Sequence, residues 1–459
     1  MSLIMKGANL LKQPVNPNYC ATIVRLGQIT DLPGCDNIKH AAVFGARVIV
    51  SKTAKTGDLG VYFPPECQLS PDFLKANGLY RPKLQLADWP KQGGFFEESG
   101  RIKTVKLRGY YSEGFWAPIG YLDCFTPEPE YLLEGATFDE IADKWVCRKY
   151  VSRRNPASTK LGQPRRKTKR DRIVAGQFRE HFDTLNLKRY NYMLTGQEIV
   201  SITHKYHGTS LIVGNLLTER PLKWYEKLAK RLGVTVKEQE YQPVWSSRKV
   251  IKGVGIPVEG ANHFYGSDVW GDAAKDIIPK LPKGYTVYAE IVGYTAGGSP
   301  IQKGYTYGRK SGFDVYVYRV TQTNPDGVVV DMPWKQLVQW CGSVDLVPVG
   351  EIYYGRLDKA APAFGSTLVE KLYRHYNQME GVDKECPFNP GLPYEGVVIR
   401  VDGLHQCSSY KLKTMAFLEH ETKLLDSGVA DMEADDDQTI GEDGSETEEA
   451  GGSTSAPTN

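Results

Sequence analysis

A lysine caught between two strand-like runs constrains this chain more than any other feature. EIVSITH leads directly into Lys205-Tyr206-His207-Gly208-Thr209, and LIVGN follows almost at once. Apolar and β-branched residues on both sides predict two strands joined by a very short connection. A lysine held there is a candidate nucleophile, provided it can lose its proton near neutral pH through desolvation or neighbouring cations. Gly208 would let the backbone approach a phosphate or sugar closely, and Thr209 offers a hydroxyl beside it.

Four further elements follow in order. Glu290 lies in YTVYAEIVGY, where period-two alternation places it on one strand face with Thr286 and Tyr288. Phe313 opens FDVYVYRV, and Glu395 begins EGVVIRV. Lys411 and Lys413 in YKLKT are two apart, so on a strand they share a side and supply the cations that would depress Lys205. Attack on an α-phosphate needs positioning, charge neutralisation and a metal held by carboxylates and waters. Two carboxylates and two lysines meet that requirement.

The 459 residues are expected to form two folded bodies, a linker and a tail. Residues 1–147 read as a β module, with ATIVRLGQI, AAVFGARVIVS, LGVYFP and RIKTVKLRGYYSEGFWAPIG separated by turn signals, a count that suits a five-stranded barrel of the OB type. On it, Lys103, Lys106 and Arg108 are candidate phosphate contacts, with Tyr110, Tyr111 or Trp116 stacking on bases. Residues 148–172 are a basic linker with eleven Lys or Arg and one acid, Asp171. Residues 173–425 alternate strands and helices as an α+β body, with helices expected at 221–233, 333–341 and 366–378 and a strand near 346–354. Residues 426–459 hold 11 of the 54 acids and no Lys or Arg, and are expected to be disordered. The remaining body sets 57 basic residues against 43 acidic ones, which suggests a polyanionic partner. Eight scattered cysteines without a C-x-x-C pair, and a lysine- and proline-broken N-terminus, point to a reduced cytoplasmic setting; no run has the roughly 18 apolar residues of a membrane span.

These elements together resemble the covalent nucleotidyltransferase superfamily of DNA ligases, RNA ligases and mRNA-capping enzymes. KYHGT looks like its motif I, AEIVG its motif III, FDVY its motif IIIa, EGVVIR its motif IV and KLK its motif V, while Arg248 in SSRK resembles the motif Ia arginine. The resemblance implies ATP and Mg2+ (or Mn2+) as cofactors and a lysyl-AMP on Lys205. It further implies Phe313 stacked on adenine, Glu290 on the ribose or a metal-bound water, Glu395 on the metal through water, and Lys411 and Lys413 on the α-phosphate. His207 and Gly208 would belong to the same nucleotide site. DNA ligases and capping enzymes typically have Asp where this chain has His207, and carry their OB domain after motif V. Here only 46 residues follow Lys413, and the β module lies upstream. The chain is therefore similar to ATP-dependent RNA ligases with an N-terminal OB domain ahead of an ATP-grasp-like, antiparallel-sheet adenylyltransferase domain. RNA or an RNA-containing duplex is the implied substrate, with no obligate protein partner. The rival readings are a DNA ligase of the same superfamily and a nucleic-acid-binding protein that has lost activity.

Overall fold

The structure is a computed structural model and describes residues 10–81, 94–151, 172–255, 268–361, 367–403 and 405–427. Most of the basic linker, part of the 216–275 insertion and nearly all of the acidic tail lie outside the described residues.

In the N-terminal module the expected runs become strands: β1 (Ala21–Arg25), β2 (Ile29–Asp31), β3 (Ile38–Val43), β4 (Ala46–Ser51) and β5 (Leu59–Phe63). After β6 (Cys67–Leu69) come β7 (Val105–Leu107), β8 (Tyr110–Ser112), β9 (Phe115–Pro118), β10 (Thr137–Phe138) and β11 (Cys147–Lys149). An antiparallel sheet runs β9-β5-β1-β10, and a second runs β2-β3-β4. Ile23, Val61, Phe63 and Phe138 of the first sheet are fully buried in one core, while its Val24, Tyr62 and Trp116 pack against Ala41, Val43, Val48 and Val50 of the second.

The larger body is built from two antiparallel-rich sheets. The first contains β12 (Leu185–Asn186), β13 (Ile199–Lys205), β20 (Glu351–Arg356), β21 (Gly396–Val401) and β22 (Ser408–Lys413), in the order β12-β22-β21-β13-β20. The second contains β14 (Thr209–Glu219), β15 (Gln239–Ser246), β16 (Ile251–Val254), β17 (Tyr285–Gly293), β18 (Phe313–Thr323) and β19 (Val329–Asp331), in the order β16-β15-β14-β17-β18-β19. Alternation divides each strand between a core and a cleft. Val200, Ile202, Val397, Ile399, Tyr410 and Leu412 pack into one core, while Ser201, Thr203, Lys205, Val398, Arg400, Ser409, Lys411 and Lys413 face the cleft. On the second sheet Leu211, Val213, Ala289 and Ile291 are core, and Ser210 and Glu290 face the cleft.

Seven helices matter for the cores and the site: α1 (Pro71–Ala76), α2 (Leu187–Tyr190), α3 (Trp224–Arg231), α4 (Val269–Ile277), α5 (Trp334–Ser343), α6 (Leu368–Leu372) and α7 (Met415–Asp426). The helices expected at 221–233 and 333–341 appear as α3 and α5. The one expected over 366–378 is α6 followed by a wider turn at Tyr373–Asn377. The strand expected near 346–354 is split into Val347–Pro348 and β20. Sequence reading missed α4 and α7, although Thr414 caps α7 by accepting from the Phe417 N–H at 3.1 Å, a signal visible in Thr-x-x-Phe before an apolar-periodic run. All eight cysteines are free thiols and six are buried. Among the described residues no helix is long and apolar enough to cross a membrane.

Candidate active site

Lys205 ends β13, opposite Gly396 of β21, and Gly396 in turn lies opposite Lys413 of β22. This row places a glycine between two lysines, so both ammonium groups reach the neighbouring Glu395. Lys205 Nζ is 3.0 Å from Glu395 Oε1, and Lys413 Nζ is 3.4 Å from the same oxygen. His207 Nδ1 stands 4.0 Å from Glu395 Oε2, which is buried without a hydrogen-bond partner. The turn is held from below, because Glu290 Oε1 accepts from the Gly208 N–H at 3.0 Å and Gly208 O accepts from Gln302 Nε2 at 2.5 Å. A Cβ at Gly208 would lie 2.1 Å from the Ile291 carbonyl, so glycine is required by close approach of β17.

Charges within this cluster are unevenly settled. Burial raises the Glu395 carboxyl, but Lys205 and Lys413 more than reverse it and hold it at about 2. Burial likewise lowers Lys205, yet Glu395 outweighs it and keeps the proton on more tightly than in an ordinary lysine. This corrects the expectation that Lys411 and Lys413 would depress Lys205: a carboxylate in contact outweighs the cations around it. The depressed lysine is Lys411, which burial, then Lys413, Lys205 and Arg248, bring down to about 7. Lys413 is raised, its burial countered by Glu421 and Glu395. His207 is lowered by burial and is therefore neutral, wedged edge-on between Tyr305 and Phe417.

One cleft gathers Lys205, His207, Gly208, Arg248, Glu290, Glu395, Lys411 and Lys413. Arg248 pairs with Asp183 at its rim. Phe313 is not brought there: it lies opposite Gly293 and packs against the core behind the second sheet. Strand parity is the reason, since Tyr316, not Phe313, shares a row with Glu290. A register shift near Tyr288 leaves Tyr318 as an extra residue, and both Tyr318 and Arg319 reach the cleft. Tyr318 and Phe182 line the cleft.

Other cleft residues were not anticipated. His181, Ser201, Arg319 and Arg400 also line it, and Glu421 of α7 sits 3.3 Å from Lys413. Tyr19 arrives from the N-terminal module, and Lys149, at the start of the expected linker, is drawn into that module by the pairing of β11 with β6. Nothing local in the sequence marks them. Lys103, expected to contact nucleic acid, is instead paired with Glu97 and Asp426, both at 2.9 Å, because α7 docks on this face of the module. Lys106 and Arg108 remain exposed on the β7–β8 hairpin, with Lys106 over the Tyr111 ring and Arg108 donating to the Gly34 carbonyl.

Comparison with known proteins agrees with this architecture. A protein-family model described as an OB-fold domain matches residues 20–119. No curated protein matches the chain in sequence. Among solved structures, a mutant of Naegleria gruberi RNA ligase with ATP and Mn is 18% identical with a TM-score of 0.55, covering 88% of this chain and 99% of that one. A further mutant with AMP and Mn gives 19% and 0.56, covering 87% and 98%. The same ligase with PPi gives 17% and 0.54, covering 88% and 98%. The chain therefore has an N-terminal OB-fold domain followed by a mostly antiparallel-sheet domain, in the arrangement found in those RNA ligase structures.

Proposed function

We propose that this protein is an ATP-dependent RNA ligase that adenylates itself on Lys205, passes AMP to a 5′-phosphate end and seals it to a 3′-hydroxyl RNA end. The observation that carries the reading is the single cleft in which Lys205, Glu290, Glu395, Lys411 and Lys413 meet, although more than 200 residues separate the first from the last. Support also comes from the fold shared with an RNA ligase that has been seen with ATP, AMP or PPi.

In the first step the Lys205 nitrogen bonds to the α-phosphorus as the bond to pyrophosphate breaks. Lys205 must first release its proton, so Glu395 has to be drawn away from it or accept the proton itself. Lys411 and Lys413 face the position of the α-phosphate and offset its charge. Gly208, tied to Glu290, brings the backbone close to the nucleotide. A divalent cation fits this site: Glu395 Oε2 has no hydrogen-bond partner, and a carboxylate oxygen is the ligand an ion of the magnesium type takes alongside its waters. When bound by Glu290, Glu395 and the triphosphate, such an ion would supply positive charge against the phosphates. AMP then passes to the 5′-phosphate, and the 3′-hydroxyl displaces it with formation of the phosphodiester.

The deciding experiment is incubation with α-labelled ATP and magnesium, followed by denaturing electrophoresis. Label should stay on the wild-type chain and vanish in Lys205→Ala. Persistence of full labelling in that variant would end the proposal. All-DNA and RNA-containing nicks, compared side by side, separate an RNA ligase from a DNA ligase, and sealing of only all-DNA nicks would favour the latter.

A further inference from the structure

Helix α3 lies between β14 and β15 in the chain, and none of its residues is buried. At 3.6 residues per turn Trp224, Tyr225, Leu228, Ala229 and Leu232 fall on one arc of roughly 140°, while Lys227, Lys230 and Arg231 lie on the other side with Glu226. Such an arc normally turns towards a core. Here it faces out: Trp224 is 77% exposed, Leu228 50% and Leu232 74%, and Tyr225 and Val234 are exposed too. Of the 19 exposed large hydrophobic side chains among the described residues, five fall between 224 and 234, so this is a patch and not a scatter.

The patch is also cationic. Residues 220–237 hold six Lys or Arg against one acid, Glu226, and that acid is bound by Arg220 at 2.6 Å. Lys230 pairs with Glu238, also at 2.6 Å, whereas Lys227 and Arg231 have no ion pair among the described residues. The partner that fits this surface therefore combines acids with a few apolar side chains.

One segment of the chain has that composition. Residues 428–459 contain ten Asp or Glu and no Lys or Arg, with Val429, Met432 and Ile440 set among the acids. The segment starts from the body, where Asp426 pairs with Arg101 at 3.0 Å and with Lys103 at 2.9 Å. Its 32 residues reach roughly 100 Å when extended, against a radius of gyration of roughly 23 Å for a compact chain of this length, so α3 is within range. Tethering sets the effective concentration on the order of millimolar, enough for a contact too weak to form between separate molecules. A lipid surface fits less well, because stable anchoring takes two signals and this helix has only eight residues. Single-stranded RNA also fits less well, because Leu228, Leu232 and Val234 offer a base nothing to stack on.

We infer that the acidic C-terminal segment docks on α3 of the same molecule, its acids on Lys227 and Arg231 and its apolar residues on Trp224, Leu228 and Leu232. The inference is independent of the ligase reading.

The test uses the full chain, dilute and at low salt, treated with a carbodiimide that joins a carboxylate to a lysine in contact, and mapped by peptide mass spectrometry. Links from 428–459 should concentrate on Lys223, Lys227 and Lys230 within the monomer band, and should fall about fivefold at high salt, where charges are screened. Leu228→Ser combined with Leu232→Ser, both at exposed positions, should cut them about threefold with every charge in place, which a purely Coulombic contact would not show. Links spread evenly over the lysines of the body, or reaching α3 only in the dimer band, overturn the inference whatever the variant does. The same proteins are mixed with phosphatidylserine vesicles and with single-stranded RNA. Binding of the full chain to either one that the double substitution abolishes gives the face to that partner and also overturns the inference.

Discussion

At the scale of single residues the site is a problem of proton ownership. Glu395 keeps Lys205 protonated, and Lys411, surrounded by cations, is the lysine closest to neutrality at about 7. Between that value and the ordinary 10.5, the unfolded chain binds a proton at Lys411 that the folded chain does not, so this residue makes stability rise with pH across the window. A phosphate beside Lys411 restores its proton. Nucleotide binding should therefore take up a proton above pH 7 and weaken as pH climbs towards 10, over and above the titration of the nucleotide itself. Lys411→Met should flatten that added dependence in calorimetry at several pH values; an unchanged slope would mean that Lys411 is not beside the phosphate.

Among the elements, α7 does the most to shape the site. It leaves β22 directly after Lys413, and Thr414 ties its start by donating to the Tyr394 carbonyl at 2.5 Å. One turn and more along, Glu421 reaches back to Lys413, Glu419 accepts from the Tyr111 hydroxyl at 3.0 Å, and Asp426 pairs with Arg101 and Lys103. Arg101 is buried and bidentate with Glu66, with both contacts at 2.8 Å. Arg101→Met would strand Glu66 and is expected to cost about 3–5 kcal/mol in denaturant unfolding, the usual effect of breaking a buried pair. Lys103→Ala should also loosen this contact, by less, and leave RNA affinity as it was. Weaker RNA binding with unaltered stability would return Lys103 to a nucleic-acid surface.

For the whole molecule, the N-terminal module is part of the cleft and not an appendage beside it. Lys188 and Glu113 join the two bodies across the seam, and Tyr19 and Lys149 enter the cleft from the module's side. On the proposed reading, a cation there adds to the charge that meets a triphosphate. Lys149→Ala is expected to raise KM for ATP roughly tenfold in self-adenylation, the size of one charge-assisted contact, with a smaller change in kcat. An unaltered KM would confine the module to a structural or RNA-binding role.

Much of this was legible in the chain before any coordinates. Period-two alternation already put Lys411 and Lys413 on one side of a strand, and the short link between two strands already confined Lys205 beside Gly208, because covalent spacing within a strand dictates which side chains share a face. Partners across strands are another matter. Glu395 against Lys205, Tyr318 inside the cleft with Phe313 outside it, Glu421 against Lys413, and Lys149 from a separate module all depend on register, a bulge and domain docking. Those are settled by packing among distant segments, and the proton affinities follow from the contacts that packing creates, so only the tertiary structure could decide them.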